Sequence, residues 1–253
     1  MLIFSAGIGF SVAEALVEHG SNVIISSSNA DRVQKTISRL TSSYPSAKNR
    51  VSGHTVNLAN EDSLDAEIKA LLDKSTSNGS AKLDHIVFTA ADGLAMLKLD
   101  SITFEQVKKA GMIRFFAPMF IAKYAPQYLH STSQSSIILT TGGVSERPIP
   151  GWAVINSYAT GLQGMTRGLA LDLKPIRVNL VSPGAVDTEL WANSGMDEQT
   201  KKGLFEGMKK GTTTGEVARP EQIAESYLFL MRDGNVAGTM VSTNGGSLLL
   251  GPH

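Results

Sequence analysis

The segment "MLIFSAGIGFSVAEALVEHG" (residues 1–20) places a short apolar run before two glycines, and a helical stretch comes directly after them. Gly7 and Gly9 lie in the turn between that predicted strand and helix. Glycines allow a backbone to approach a pyrophosphate, and the N–H groups that open the next helix attract an anion. The segment therefore predicts a dinucleotide-binding turn made by Gly7, Ile8 and Gly9. A glycine-rich turn can also serve packing alone, so the prediction depends on the elements further along the chain.

The rest of the chain continues the alternation of strand and helix. Further β-rich runs occupy residues 22–26, 51–56, 84–89, 136–141, 176–181 and 239–243. Helical stretches lie at residues 8–19, 29–43, 61–76, 103–130, 153–173 and 220–232. Apolar strands that alternate with helices are typical of a parallel sheet covered on both faces. We predict an α/β fold with a doubly wound parallel sheet (Rossmann) in a single domain over residues 1–253.

Composition excludes several classes of protein. Lys plus Arg and Asp plus Glu both number 23, so nothing favours a nucleic acid or an anionic membrane as partner. The chain has no cysteine and only five scattered histidines, which exclude disulfides and make a metal site unexpected. No apolar run reaches the roughly 18 residues of a membrane span. The chain does not start like a signal peptide, and we expect a cytoplasmic protein.

Three segments resemble the short-chain dehydrogenase/reductase family: "AGIGFSVAEAL" in the first turn, "RGLALDLKPIRVNLVSPGAVDTELW" (167–191) and "TNGGSLLL" (243–250). The resemblance spans nearly the whole chain. It implies a homodimer or homotetramer in which the helices at 103–130 and 153–173 pair across subunits. It also implies further cofactor contacts after the third, fourth and sixth strands, at Asn57, Leu58, Ala90, Ala91, Pro183, Gly184, Val186 and Thr188.

The first turn is shorter than the family pattern. That pattern reads Thr-Gly-x-x-x-Gly-x-Gly, and here only part of it stands between Phe4 and Gly7. So short a turn leaves little backbone to wrap a pyrophosphate. We therefore expect that a few residues are missing from the sequence at Phe4–Ser5 and before Met1.

The end of the second strand indicates the choice of cofactor. An NAD site places a carboxylate there to hold the ribose 2′-OH. This chain has Ser27, Ser28 and Asn29, with Arg32 one helical turn later. Hydroxyl and amide donors with a cation suit a 2′-phosphate, so we expect NADP(H). The alternative is a plain polar turn in which Asn29 caps the next helix.

The family's catalytic Asn, Ser, Tyr and Lys are replaced when the chain is aligned on "GMTRGLALDL" (164–173) and "SIILTTGG" (136–143). Their positions fall on Gly111, Gly142, Ile155 and Ala159. Tyr158 stands three residues from the tyrosine position, and Leu162 occupies the place of a lysine four residues after Tyr158. We expect Tyr158 to be a packing or interface residue, with a catalytic role as the alternative.

A site without a proton donor is better suited to an iminium than to a ketone. Reducing a ketone produces an alkoxide that an acid must protonate, whereas an iminium accepts hydride and leaves a neutral amine. Gly111, Gly142 and Ala159 are small, which leaves room for a bulky substrate.

Two further candidate site residues, Arg114 and Trp152, stand near the replaced tetrad positions. Arg114 lies three residues after Gly111 on the same helix face, and it could bind an amide carbonyl of the substrate or form a salt bridge. Trp152, in "RPIPGWAV" (147–154), could line the substrate pocket with Ile149, Ile155 and Gly142, or it could be a core residue.

Residues 184–218 form a connection of a length that is usually functional. Within it, Trp191, Met196, Phe205 and Met208 could form an apolar lid over the substrate, or they could be ordinary helix packing.

The motif "RPxPGW" with Arg114 and the replaced tetrad resembles a divergent fungal subgroup of this family. That resemblance implies NADPH-dependent imine or iminium reduction in indole-alkaloid biosynthesis. Some members also guide a Diels–Alder or Pictet–Spengler-type cyclisation of a polycyclic, indole-bearing substrate. Some carry an acidic residue where Ile149 stands here. The alternatives are a conventional carbonyl reductase that uses Tyr158, and a non-catalytic NADP(H)-binding protein.

Overall fold

A computed structural model of the chain describes residues 1–4, 7–188 and 198–250. Its strands form one seven-stranded sheet in the order β3-β2-β1-β4-β5-β6-β7, and every neighbouring pair is parallel. The strands are β1 (Leu2–Phe4), β2 (Val23–Ser27), β3 (Val51–Thr55), β4 (His85–Val87), β5 (Ser136–Thr140), β6 (Arg177–Pro183) and β7 (Met240–Thr243). The predicted doubly wound α/β fold is confirmed.

Helices cover both faces of this sheet because its strands are apolar on both sides. The helices are α1 (Ile8–Glu18), α2 (Ala30–Ser43), α3 (Leu64–Thr76), α4 (Phe104–Gly111), α5 (Ala117–Tyr128), α6 (Ala153–Asp172), α7 (Glu198–Lys210) and α8 (Pro220–Arg232). One hydrophobic cluster contains apolar residues of α1 and α8, and the other contains those of α3, α5 and α6. Among the described helices, none is long and apolar enough to cross a membrane.

The helix predicted over residues 103–130 is in fact interrupted. Between α4 and α5 the backbone forms a π turn, Met112–Phe116. Pro118 in the first turn of α5 has no N–H to donate to the carbonyl of Arg114, which loosens the helical ladder at that point. Such π turns are frequent at functional sites, and this one carries Arg114.

The long connection at 184–218 contains a helix, α7, that the sequence analysis did not predict. Gly203 and Gly207 lower the helix propensity of this segment, and most of its other residues are polar or charged. Phe205 and Met208 are half-buried on it. Trp191 and Met196, the other residues of the predicted lid, lie outside the described residues.

A buried arginine joins the ends of α8 and β6. Arg177 is 3% exposed, and its guanidinium donates to the carbonyls of Ser133 at 2.6 Å, Leu230 at 2.6 Å, Met231 at 2.9 Å and Val236 at 3.1 Å. Two of these carbonyls belong to the last turn of α8, where a cation is favourable. Burial lowers the pKa of Arg177 from its ordinary value.

Replacing Arg177 with methionine should lower the free energy of unfolding by roughly 3 kcal/mol or more, because each lost charged hydrogen bond is worth about 1.5–3 kcal/mol. The measurement is urea denaturation followed by circular dichroism. Arg232→Met, at an exposed position of α8, is the control and should change stability by less than about 0.5 kcal/mol. Equal stability of the two variants would contradict the assigned role.

Candidate functional site

The sheet has a topological switch point between β1 and β4. The chain builds outward from β1 through β2 to β3, then returns to β4 on the other side of β1. In sheets of this kind ligands bind outside the carboxyl ends of the strands at the switch point. We call the space framed by the segments directly after β1, β4, β5 and β6 the switch-point cleft.

The glycine turn at the mouth of this cleft is tightly packed. Gly7 precedes α1 with φ of 49°, no side chain caps the helix, and its first turn has no acidic residue. A Cβ built on Gly9 would lie 2.5 Å from both the carbonyl oxygen of Phe4 and Oγ1 of Thr89. Only glycine fits at that position. The first N–H groups of α1, beginning at Ile8, receive no side-chain cap and can bind an anion.

The segment after β6 lies directly on this turn. A Cβ on Gly7 would lie 3.0 Å from Cβ and Cγ2 of Thr188. At Gly184 a Cβ would lie 2.8 Å from Cα of Asn244, so this turn also requires glycine. Val186 packs in the hydrophobic core and forms an isolated parallel β-bridge with Ala218.

The residues after β3 and β4 that were predicted to contact the cofactor lie at the same edge of the sheet. Leu58 is buried in the core, and Asn57 is exposed with its Oδ1 accepting from the N–H of Ala59 at 3.0 Å. Ala90 is half-buried, and Ala91 is exposed. Pro183 ends β6 at this edge.

The end of β2 is polar and carries an accessible cation. Ser27 is mostly buried and Ser28 is exposed. Asn29 caps α2 by accepting from the N–H of Arg32 at 3.0 Å, as the alternative interpretation allowed. The Arg32 side chain is exposed and makes no ion pair with any described residue. Ser26 Oγ is buried and has no hydrogen-bond partner in the described part of the chain.

These residues fit a dinucleotide. The uncapped start of α1, with the glycines required at positions 9 and 184, suits a pyrophosphate. Ser28 and Arg32 suit a ribose phosphate. The connection from β1 to α1 has only three residues, 5–7, of which Gly7 is described.

Tyr158 packs against α4 and the π turn through its hydroxyl and its ring. Its hydroxyl donates to the carbonyl of Val107 at 3.0 Å. Its ring covers Gly111 so closely that a Cβ there would lie 2.5 Å from Tyr158 Cζ. The rings of Phe115 and Phe116 have centroids 5.2 and 6.0 Å from the ring of Tyr158. Burial raises the pKa of this tyrosine, so it remains protonated near neutral pH.

The expectation that Gly111 leaves room for a substrate is wrong, because the ring of Tyr158 fills that space. Gly142 is different, since its backbone is extended and a Cβ there would meet nothing closer than the carbonyl oxygen of Pro183 at 3.9 Å. Ile155 is 8% exposed, and the carbonyl of Ala159 accepts from Thr141 Oγ1 at 2.9 Å. Of the two glycines, only Gly142 thus leaves space for a further atom in front of its backbone, at the end of β5.

Two charged side chains next to the prolines, Glu146 and Arg147, hold the loop between β5 and α6 through hydrogen bonds. The Glu146 carboxylate accepts from Ser182 Oγ at 3.1 Å and from Ser242 Oγ at 3.0 Å. The Arg147 guanidinium donates to the carbonyl of Ser247 at 2.9 Å and to that of Leu248. Both charged side chains are thus used to hold the loop on β6, β7 and the chain's C-terminal part.

Two of the predicted pocket residues lie at the tip of this loop. Ile149 is 40% exposed, and its carbonyl accepts from the N–H of Trp152 at 3.1 Å and from Asn156 Nδ2 at 3.2 Å. Trp152 is half-buried just before α6 and belongs to neither described hydrophobic cluster. These contacts do not favour the core interpretation of Trp152.

Arg114 forms an ion pair that the sequence analysis allowed for without naming its partner. Its Nε lies 2.9 Å from Oδ1 of Asp92, and its Nη2 donates to the main-chain carbonyl of Asp92. The two side chains are 24% and 36% exposed. Asp92 lies just after β4 at the switch point, and that placement of a carboxylate was the signal available in the sequence.

No group of three or more His, Asp or Glu side chains among the described residues is arranged to hold a metal ion. That the protein uses no metal stays a prediction.

Comparison with known proteins shows where this architecture recurs. A family model described as an SDR-like rossmann domain matches residues 1–250. The short-chain dehydrogenase/reductase fsr5 of Gibberella fujikuroi is 43% identical over 247 residues, 97% of this chain and 92% of that protein. The short-chain dehydrogenase/reductase malC of Malbranchea aurantiaca is 39% identical over the same shares. The solved structure of MalC Reductase/Diels-Alderase superposes with a TM-score of 0.92 over 98% of this chain and 96% of that one.

The contact between Tyr158 and Gly111 gives a stability test. Gly111→Ala should destabilise the protein by about 1–3 kcal/mol, because the new methyl group collides with the ring. Adding Tyr158→Ala should remove that penalty, so the two changes should be non-additive in a double-mutant cycle. Gly164→Ala on α6, with no atom within 4 Å of its Cβ, is the control and should be neutral or stabilising.

Proposed function

We propose, from the premise that this chain belongs to the short-chain dehydrogenase/reductase family, that it is an NADP(H)-dependent reductase of an imine or iminium. The observation that carries the proposal is the hydrogen bond from the Tyr158 hydroxyl to the Val107 carbonyl. Tyr158 is the tyrosine that stands closest in sequence to the family's proton-donor position. Its hydroxyl proton is used in a hydrogen bond to the protein backbone.

The missing donor determines which chemistry the site can support. Bound NADP(H) supplies a hydride. A ketone that accepts a hydride becomes an alkoxide and needs a proton, for which a general acid typically contributes 10²–10⁴-fold. The carbon of an iminium accepts the hydride while the C=N π electrons move to nitrogen, which becomes neutral. The protein then has to position the substrate and exclude water.

The side chains around the open space supply positioning. Arg114 Nη1 makes no hydrogen bond to any described residue, and we assign it to an amide carbonyl oxygen of the substrate. Ile149, Trp152 and Ile155 would form apolar walls beside Gly142. A substrate with a flat indole ring suits the half-buried Trp152, because stacked rings attract each other.

A cyclisation is a second candidate function: a Diels–Alder closure of the reduced product, or a Pictet–Spengler-type closure of the iminium in place of its reduction. The similar structure of MalC, described as a reductase and Diels-Alderase, supports it. A pericyclic or Pictet–Spengler-type closure needs a shaped apolar pocket and a fixed hydrogen bond to an amide. The loop pinned by Glu146 and Arg147 with the Arg114 guanidinium could provide both.

We further propose that the protein assembles as a homodimer or homotetramer through α4, α5 and α6. Large apolar side chains are exposed on each of these helices: Phe104 is 82% exposed, Met119 is 43% exposed and Leu171 is 73% exposed. Burying such residues against a second copy would remove apolar surface from water.

The cofactor assignment predicts that Arg32→Ala weakens NADPH binding by roughly 10-fold or more, because a charged hydrogen bond is worth about 1.5–3 kcal/mol. NADH binding should change by less than about threefold, since NADH has no 2′-phosphate. The measurement is fluorescence titration of each cofactor. Lys35→Ala, one turn further along α2 and also exposed, is the control. Equal affinity of the unchanged protein for NADPH and NADH would contradict the assignment.

The reaction assignment predicts NADPH consumption with an indole-fused cyclic iminium such as N-methyl-dihydro-β-carbolinium. An indole-fused cyclic ketone of the same ring size should react at least about 100-fold more slowly, because no acid protonates its oxygen. Efficient ketone reduction would favour the carbonyl-reductase alternative, and NADPH binding without turnover would favour the non-catalytic one. With an amide-bearing iminium, Arg114→Ala should cut turnover by roughly 10- to 150-fold while NADPH affinity is unchanged.

A further inference from the structure

The ion pair between Arg114 and Asp92 leaves one carboxylate oxygen available. Asp92 uses Oδ1 for Arg114 Nε and its main-chain oxygen for Arg114 Nη2. Its Oδ2 accepts no hydrogen bond from the described residues, and its side chain is 36% exposed. The arginine thus fixes the carboxylate from one side and leaves the other oxygen open.

The pair lies at the candidate site. Asp92 stands in the segment that leaves β4, one of the two switch-point strands, and Arg114 lies on the π turn between α4 and α5. Ligands of doubly wound sheets bind outside the carboxyl ends of these strands. A π turn adjacent to that edge is a further mark of a functional position.

The Arg114–Asp92 pair carries no net charge, and this matters for a cationic substrate. A lone guanidinium in the cleft would repel a cationic substrate, whereas a guanidinium matched by a carboxylate does not. Three other carboxylates are already engaged within the protein: Glu146 accepts from two serines, and Glu61 and Glu105 pair with Lys108. Ile149, at the tip of the proline-rich loop, contributes no charge.

We propose that Asp92 is the counter-charge of a cationic substrate nitrogen, and this rests on the proposed function for the substrate class. Oδ2 would face the positively charged nitrogen of a cyclic iminium. Arg114, whose Nη1 is assigned to the amide carbonyl of the substrate, would also hold this carboxylate in place through Nε and Nη2. The ligand class is therefore an organic monocation with its charge next to the reacting carbon.

The proposal predicts a split between KM and kcat. The carboxylate attracts the iminium in the ground state, but positive charge falls as hydride arrives, so the attraction is weaker in the transition state. Removing it should weaken binding without slowing the chemical step. A merely structural role for Asp92 would lower kcat and would affect charged and neutral ligands alike.

The experiment compares Asp92→Asn with the parent on two probes of similar shape. N-methyl-dihydro-β-carbolinium carries a permanent charge, and the lactam of the same ring system is neutral. KM and kcat are measured for the cation with saturating NADPH, and Kd is measured by calorimetry for both probes with saturating NADP⁺. Asp100→Asn, an exposed change in the same connecting segment with the same loss of charge, is the control.

For Asp92→Asn we expect KM and Kd of the cation to rise roughly 10- to 150-fold, as for a lost charged hydrogen bond. We expect the Kd of the lactam to change less than about threefold and kcat not to fall. The control should match the parent. Equal weakening of cation and lactam, or an equal effect of Asp100→Asn, would overturn the proposal.

Two outcomes separate this proposal from the proposed function. If the parent reduces no iminium but binds the cation through Asp92, the reductase assignment fails and the counter-charge stands. If the parent reduces the cation and Asp92→Asn binds it equally well, only the counter-charge fails. Should Asp92→Asn not fold, the parent itself is tested: its affinity for the cation, and not for the lactam, must fall as salt concentration rises. Salt-independent binding of the cation would overturn the proposal.

Discussion

The contact between the ring of Tyr158 and the backbone of Gly111 is the constraint on which the account of this site depends. The helices α4 and α6, which carry Gly111 and Tyr158, approach so closely that a single methyl group on residue 111 would collide with the tyrosine. The hydroxyl donates to the Val107 carbonyl on α4 at 3.0 Å. Because this phenol is held in a packing contact, the open space beside Gly142 has no tyrosine acid from this position.

For a cationic substrate, a site that contains the Arg114 guanidinium poses an electrostatic problem, which the ion pair with Asp92 would solve. A cationic substrate would be repelled by an isolated guanidinium in a poorly solvated cleft. With the carboxylate fixed beside it, the guanidinium keeps hydrogen-bonding capacity for a neutral carbonyl while the pair carries no net charge. The same pair ties the segment after β4 to the π turn, so the positions of both groups depend on one contact.

Much of the fold could be predicted from the sequence because it depends on local patterns. Each apolar strand run is present, and the glycines of the first turn lie where the β1–α1 connection requires them. The π turn was not predicted, because the apolar spacing of residues 103–130 continues through it and the proline at its end, Pro118, is also compatible with the first turn of a helix. The helix α7 was missed because its glycines obscure the apolar spacing.

The positions of the candidate site residues along the sheet could be predicted from the sequence, whereas their side-chain contacts could not. The sequence placed Gly7, Gly142 and Trp152 near the carboxyl edge, since each lies next to a recognisable element. Asp92 was missed because its importance appears only when Arg114, 22 residues later, folds back on it. The room predicted at Gly111 was wrong for a related reason, since only the folded chain brings a ring from α6 over that glycine.

The measurement that tests the central claim most directly is a crystal structure of the protein with NADPH and the neutral lactam of the indole-fused ring system. The account predicts that the Tyr158 hydroxyl stays within hydrogen-bond distance of the Val107 carbonyl, while Arg114 and Asp92 border the substrate beside the nicotinamide. A Tyr158 hydroxyl at hydrogen-bond distance from the lactam oxygen beside the nicotinamide C4 would contradict it, because the site would then contain the acid of a carbonyl reductase.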